Sequence, residues 1–246
     1  SDYFKEVFTR SDGLYTPTQF ISIGYLYDSS FCYIKKRAET FRKLQFSKGI
    51  KYIVCYLDEN IQYDPKYGIH GKVDSEKKML SFVKFLLDND DVALLVKPQF
   101  SRNLYTNLFP ESLELKKVID NGQLIEFNSG KHNRNNVFPA EVAMCSDLVI
   151  GHSLGITAPL ESYLCGTRTV MLSDNRNDDL TSMLNKSVVY NSLQEVFHCI
   201  AEFRGGGLEF FGDWSHSIDI DKYFDPYRDG KSSDRMFDFI SNALND

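Results

Sequence analysis

A run of small residues in the second half of the chain has the composition of a phosphate-binding turn. Four such residues follow the predicted strand 147–150 and precede a predicted helix at 158–165: Gly151, Ser153, Gly155 and Thr157. Small residues let a ligand approach the backbone, and the first N–H groups of a helix can bind an anion. The pattern therefore predicts a site for a phosphate or diphosphate group.

Two larger side chains near this turn could contact the same ligand. Glu161, one turn into the helix, could accept hydrogen bonds from ribose hydroxyls, and His152, inside the turn, could donate to a phosphate or a sugar. The alternative for His152 is that it only shields the turn. The turn is neither a Walker A loop nor a G-x-G-x-x-G motif, because no Gly-Lys-Ser/Thr follows and Gly151 and Gly155 have the wrong spacing.

The same residues support a different chemistry, because 151–155 match the G-x-S-x-G pattern of serine hydrolases. Ser153 would then be the nucleophile on a strand-to-helix turn. Its partners would be drawn from Asp174, Asp178, His198 and His216. No His-Gly-Gly run that could form an oxyanion loop is present. A serine hydrolase is therefore an alternative to the phosphate-binding interpretation.

Composition excludes several classes of protein. The formal net charge of −6 argues against a binder that neutralises nucleic-acid phosphates, so no nucleic-acid partner is expected. No apolar run approaches the roughly 20 residues that span a bilayer. The five cysteines are scattered without a C-x-x-C pair, as in reduced cytosolic proteins, and the five histidines form no metal-ligand motif.

The elements that must position these residues alternate between strands and helices. Apolar runs predict strands at 20–23, 51–57, 92–96, 123–127, 147–150 and 168–172. Helical patterns lie between them and continue at 193–203 and near the C-terminus. This order predicts a Rossmann-like, three-layer α/β domain with a mainly parallel sheet.

Ligands of such sheets bind outside the carboxyl ends of the strands. The loops after Leu57, Val96, Phe127 and Ile150 are therefore expected to meet in one crevice. Asp58, with Glu59 beside it, is a candidate general base there, although carboxylates at strand ends are also common caps. In the polar loop 128–136, His132 and Arg134 could reach a donor or an acceptor, or simply be solvated.

Four motifs together resemble the C-terminal, nucleotide-sugar-binding half of GT-B glycosyltransferases. The likeness is to bacterial capsule, O-antigen and teichoic-acid transferases, and the motifs extend over roughly residues 20–240. They are Ile23-Gly24 with Asp28, Val96-Lys97-Pro98, the stretch from Ser146 through Glu161 to Gly166, and Asp225-Pro-Tyr-Arg-Asp-Gly-Lys231. Gln99-Phe100 departs from the family pattern, in which a histidine follows the proline.

The resemblance implies particular roles for residues of the crevice. Seven residues would bind the donor: Lys97, Phe127, Asn128, Ser153, Gly155, Thr157 and Glu161. Among these, Ser153, Gly155 and Thr157 would hold the phosphates, Glu161 the ribose, and Phe127 and Asn128 the base. Lys97 would neutralise charge on the departing nucleotide without a metal. Lys97, His152 and Asp58 are thus the candidate catalytic residues, and the nucleotide sugar is a substrate rather than a cofactor.

The resemblance also implies an enzyme whose activity depends on a second domain. We expect residues 1–19 to be the end of an N-terminal acceptor domain, and residues 20–246 to form the donor-binding domain with a helical C-terminal extension. The expected acceptor is a cell-surface glycan, lipid-linked in some systems, and the expected location is the cytoplasm, at the inner face of the membrane. A non-catalytic nucleotide-sugar-binding module of a polysaccharide assembly protein is the alternative.

Overall fold

The computed structural model describes residues 20–58, 72–98, 111–127, 137–152, 156–173, 188–206 and 224–245. The strands in these ranges are β1 (Tyr52–Leu57), β2 (Val92–Lys97), β3 (Leu124–Glu126), β4 (Leu148–His152), β5 (Arg168–Leu172) and β6 (Val189–Tyr190). The helices are α1 (Phe31–Ser47), α2 (Lys72–Leu87), α3 (Leu113–Asp120), α4 (Pro139–Ala143), α5 (Thr157–Leu164), α6 (Leu193–Gly206) and α7 (Ser232–Asn245).

The described strands form one parallel sheet in the order β3-β2-β1-β4-β5-β6. This is the strand order of a Rossmann-like domain, in which the direction of winding reverses between β1 and β4. The predicted fold class, a three-layer α/β domain, is therefore confirmed.

Helices cover both faces of the sheet. On the first face, α2, α3 and α6 pack through Phe82, Leu115 and Ile200 against the side chains of Val54 and Tyr56. On the second face, α1 and α4 pack against the intervening residues of β1, and α5 packs against β5. This division of the helices follows from the right-handed connections between parallel strands. From β1 to β3 the strands are added toward one side of the sheet, and from β4 to β5 toward the other, so the connecting helices lie on opposite faces.

The central strands are apolar throughout because both faces of the sheet are covered. From Ile53 to Leu57 every residue of β1 is at most 4% exposed, and Val92 to Val96 of β2 are equally buried. The burial of these strands is the reason that the strand predictions at 51–57 and 92–96 agree with the structure.

Two strand predictions require correction. Residues 20–23 were predicted to form a strand, but the structure places no strand in residues 20–27, here called the leading segment. The backbone carbonyl oxygens of Ile23 and Leu26 instead accept hydrogen bonds from the side chains of Arg235 and Ser232. Strand β4 continues past Ile150 through Gly151 and His152, which were predicted to lie in the following turn.

None of the helices that the structure describes is long and apolar enough to cross a membrane. The predicted division of the chain at residues 19 and 20 stays a prediction, because residues 1–19 lie outside the described ranges.

Candidate functional site

Three of the predicted site residues end neighbouring strands at one edge of the sheet. Leu57 of β1 is level with Lys97 of β2, and Val96 is level with Glu126 of β3. Asp58 and Phe127, the next residues after β1 and β3, are therefore at the same edge as Lys97. On the other side of β1, β4 pairs with it in parallel and ends at the same edge. Asp58, Lys97 and Phe127 thus lie at the carboxyl ends of β1, β2 and β3, close to the point where the direction of winding reverses. Doubly wound sheets bind ligands at this point.

Lys97 is a half-buried cation on the second face of the sheet. Its position, two residues after the buried Leu95, puts it on that face, and its Nζ lies 3.5 Å from the carbonyl oxygen of Pro98. Burial lowers the pKa of Lys97, and the carboxylates of Glu161 and Asp58 oppose that shift. Lys97 therefore lies within electrostatic reach of two other predicted site residues.

Glu161, the carboxylate predicted to bind the ribose, is buried, with 5% of its surface exposed. Its Oε1 accepts the backbone N–H of Ala140 at 2.8 Å, and its Oε2 accepts the hydroxyl of Tyr25 at 2.6 Å. Burial raises the pKa of Glu161, and these hydrogen bonds and Lys97 oppose that rise. Because each carboxylate oxygen has two acceptor positions, Glu161 keeps acceptor capacity for a ligand hydroxyl.

Tyr25 is a site residue that sequence reasoning missed. It lies in the leading segment, 136 positions before Glu161, and no local pattern links two residues so far apart. Its ring stacks on Phe31 with centroids 6.0 Å apart, which fixes the direction of the hydroxyl. Burial, with Glu161 next in effect, raises the pKa of Tyr25, so the hydroxyl stays protonated as a donor.

His152 is not brought together with Lys97 and Glu161. It is fully buried, and it lies on the first face, two residues after Ile150 in β4. Its Nε2 lies 2.8 Å from the hydroxyl of Tyr56, whose ring packs on Phe82. The structure gives His152 a packing role on that face, and its catalytic role stays a prediction.

Asp58 lies at the crevice but is largely covered, with 6% of its surface exposed. Its backbone N–H donates to the carbonyl oxygen of Lys97 at 3.0 Å, which extends the pairing of β1 and β2 by one residue. The backbone of Asp58 therefore lies beside that of Lys97. The general-base role of Asp58 stays a prediction.

The glycine that opens the predicted phosphate turn has a structural explanation. A Cβ at Gly151 would overlap Pro159 Cγ and lie 3.1 Å from Pro159 Cβ, so a glycine lets α5 pack closely on β4. Thr157, the first residue of α5, is exposed, and Ile156 before it makes no side-chain cap hydrogen bond. Ser153, Gly155 and Asn128 lie outside the described residues, so their predicted contacts stay predictions.

A cleft of about 240 Å³ adjoins Phe127 on the second face. It is mainly apolar, and its lining residues are Ile34, Arg37, Ala38, Phe41, Phe127, Glu141 and Cys145. The rings of Phe41 and Phe127 meet edge to face at 5.5 Å, and Arg37 and Glu141 form an ion pair of 3.8 Å at the rim. Since Glu141 lines the cleft and the adjacent Ala140 donates to Glu161, the cleft and Glu161 are connected through the short helix α4.

The C-terminal motif holds the leading segment in place. Asp225 Oδ1 accepts the backbone N–H groups of Tyr227 and Arg228 and lies against Gly24. The guanidinium of Arg228 donates to the carbonyl oxygen of Leu164 at the end of α5, and that of Arg235 donates to the carbonyl oxygen of Ile23. The motif therefore connects the segment that carries Tyr25 with the helix that carries Glu161.

Few residues of the alternative hydrolase site can be placed. Of the hydrolase candidates, His198 is exposed on α6, and the others lie outside the described residues: Ser153, Asp174, Asp178 and His216. Three further residues singled out in the crevice loops also lie outside them: Glu59, His132 and Arg134. Within the part of the chain that the structure describes, no three His, Cys, Asp or Glu residues are grouped as metal ligands.

Comparison with known proteins gave no relative from which a function could be transferred. No family model, no curated protein and no solved structure matches the chain.

Proposed function

We propose that the chain is the nucleotide-sugar-binding domain of a metal-independent glycosyltransferase that modifies a cell-surface glycan. The observation that carries the proposal is the arrangement of Lys97 at the end of β2 and the buried carboxylate of Glu161 in α5, the helix after β4, beside the reversal point of a Rossmann-like sheet. A buried carboxylate with acceptor positions left and a nearby cation suit a ribose and the phosphates attached to it.

The nucleotide would occupy the crevice from α5 toward β3. Its phosphates would lie at the start of α5, near the exposed Thr157 and within reach of Lys97. The positive end of the helix dipole favours anions at this position. Glu161 would accept hydrogen bonds from the ribose hydroxyls, and the apolar cleft beside Phe127 would receive the base.

In the proposed reaction, the sugar passes from the nucleotide to an acceptor hydroxyl. As the bond to the sugar breaks, negative charge builds up on the leaving phosphate, and Lys97 would stabilise that charge. Asp58 would take the proton of the acceptor hydroxyl. The acceptor would come from a second domain or from a partner that presents the glycan.

The alternative of a non-catalytic binding module has one observation in its favour. His152, a candidate catalytic residue, is fully buried against Tyr56 on the face away from Glu161. A module of this kind would bind the same nucleotide through Glu161 and Lys97 and would transfer no sugar even with its acceptor domain present.

Calorimetric titration with CMP, CDP, UDP and GDP tests the proposal. We expect one nucleotide to bind to the wild-type chain and Glu161→Ala to weaken that binding about tenfold to hundredfold, since hydrogen bonds to a charged group contribute about 1.5–3 kcal/mol. Glu202→Ala, which removes an exposed carboxylate from α6, is the matched control and should bind like the wild type.

Two results would contradict the proposal. One is the absence of binding by all four nucleotides. The other is equal affinity in Glu161→Ala and Glu202→Ala, with thermal melts showing both variants folded. Hydrolysis of a p-nitrophenyl ester by the wild-type chain, lost in Ser153→Ala, would instead favour the serine hydrolase.

A further inference from the structure

We infer that Tyr25 is a positioning residue for nucleotide binding, which acts by holding the Glu161 carboxylate in the orientation and charge state that a ribose requires. This inference rests on the proposed function. It concerns an unspecified position between Gly24 and Asp28 of the first family-like motif, to which the resemblance gives no role. The inference follows from a single contact, the 2.6 Å hydrogen bond from the Tyr25 hydroxyl to Glu161 Oε2.

An ionised carboxylate accepts hydrogen bonds at both oxygens, whereas a protonated one uses an oxygen as a donor. Burial favours the protonated form of Glu161 and raises its pKa. Among the described residues, the Tyr25 hydroxyl, the backbone N–H of Ala140 and Lys97 favour the charged form of Glu161, whereas Glu141 of α4 opposes it. The carboxylate in turn helps to raise the pKa of the Cys165 thiol after α5, so that thiol stays neutral. Loss of the Tyr25 hydroxyl therefore shifts the balance toward the neutral acid.

The position of Tyr25 does not depend on Glu161. Its ring stacks on Phe31, its carbonyl oxygen accepts the backbone N–H of Asp28 at 3.1 Å, and the preceding Gly24 packs against Asp225. A phenylalanine at position 25 keeps these contacts and removes only the hydroxyl. These contacts therefore hold the Tyr25 side chain beside Glu161, and they should remain in Tyr25→Phe.

The test compares Tyr25→Phe with Tyr27→Phe over a range of about pH 5 to pH 8. Tyr27 is the matched control, because it also lies in the leading segment and contacts the ring of Tyr25, but its side chain is 42% exposed. The probe is whichever of CMP, CDP, UDP and GDP binds the wild-type chain most tightly. Each variant is compared with the wild type at the same pH, so the titration of the nucleotide itself cancels.

At about pH 7, Tyr25→Phe should bind up to about tenfold more weakly than the wild type, because loss of the donor raises the pKa of Glu161 and leaves a smaller fraction of it ionised. Because the pKa of Glu161 rises further without its donor, the loss of affinity on acidification should begin at a higher pH than in the wild type. Tyr27→Phe should match the wild type in both respects. A residue that only packs would change the affinity without moving the pH profile.

The outcomes separate this inference from the proposed function. If the wild type binds and Tyr25→Phe shows the same affinity and pH profile, Tyr25 has no positioning role and the proposed function stands. If the wild type binds none of the four nucleotides, both are overturned. Should Tyr25→Phe fail to fold, Glu161→Gln replaces it, since its amide cannot ionise. Its affinity should then lack the wild-type loss on acidification, and an unchanged pH profile would refute the inference.

Discussion

Among single residues, Gly151 occupies a position where one added carbon would meet a neighbouring helix. A Cβ there would overlap Pro159 Cγ, and both residues are buried between β4 and α5. We expect Gly151→Ala to lower the free energy of unfolding by about 1–3 kcal/mol, the usual cost of overpacking. Urea unfolding measures the change through the midpoint at constant slope.

A double substitution identifies the cause of this destabilisation. Pro159→Ala removes the Cγ that Gly151→Ala would meet, so the two substitutions together should destabilise less than the sum of their separate effects. Additive effects would show that the contact with Pro159 is not the reason for the glycine. In that case the site would need another explanation, such as the close approach of a ligand.

Part of the candidate site could be predicted from residue types alone. Asp58 and Lys97 follow buried apolar strands, and parallel strands end at one edge, so their proximity follows from the sequence. The face of the sheet on which the His152 side chain lies was not predicted from the sequence. The strand was expected to end at Ile150, and the alternation of side chains between the two faces was therefore not applied to His152. Tyr25 was missed because its contact depends on the path of a segment without regular structure.

At the level of elements, Gln123 joins the end of α2 to the start of β2. Its side-chain amide nitrogen lies 2.9 Å from the carbonyl oxygen of Leu86, 3.0 Å from that of Asn89 and 3.3 Å from that of Val92, and the residue is 4% exposed. Gln123→Glu would place a buried carboxylate against these oxygens without a donor. We expect a loss of about 3 kcal/mol or more at about pH 7, because an unsatisfied buried charge costs more than a neutral group.

The loss should depend on pH in a known direction. Burial raises the pKa of the new carboxyl above its unfolded value of about 4.3, so the folded state binds its proton more tightly. The destabilisation should therefore be small below about pH 4 and grow as the pH rises through the folded pKa. Gln194→Glu, the same change at an exposed position of α6, should alter stability by no more than about 0.5 kcal/mol. Parallel pH curves for the two variants would refute the role assigned to Gln123.

The elements themselves were predictable to different degrees. The strands around Cys55 and Leu95 are continuous apolar runs buried on both faces, and a run of this kind specifies a central parallel strand. The two-residue strand β6 was not predicted, because a short edge strand of half-buried residues has no comparable pattern. The apolar residues of the leading segment resembled a strand, although the backbone carbonyl oxygens of Ile23 and Leu26 accept hydrogen bonds from the side chains of Arg235 and Ser232.

At the scale of the whole molecule, the two ends of the described chain meet beside the candidate site. Asp28 in the turn before α1 accepts the backbone N–H and the hydroxyl of Ser232 at the start of α7. Arg228 reaches the end of α5, and Gly24 packs against Asp225. These contacts set the position of Tyr25, and through it that of Glu161, so the C-terminal region contributes to the site without lying in the crevice.

Substitution of Gly24 tests this arrangement, with Gly49 as a matched control. The two glycines have φ values of +88° and +93°, but a Cβ at Gly24 would lie 2.8 Å from Asp225 Oδ1, whereas one at Gly49 has nothing within 4 Å. Both alanine variants should carry the cost of a left-handed residue, about 1–2 kcal/mol, and only Gly24→Ala should also separate the leading segment from the C-terminal region. In hydrogen–deuterium exchange, Gly24→Ala should therefore lose protection in residues 20–31 and 224–245 while β1 and β2 stay protected. If both variants show the same pattern of exchange, the contact with Asp225 does not hold the two regions together.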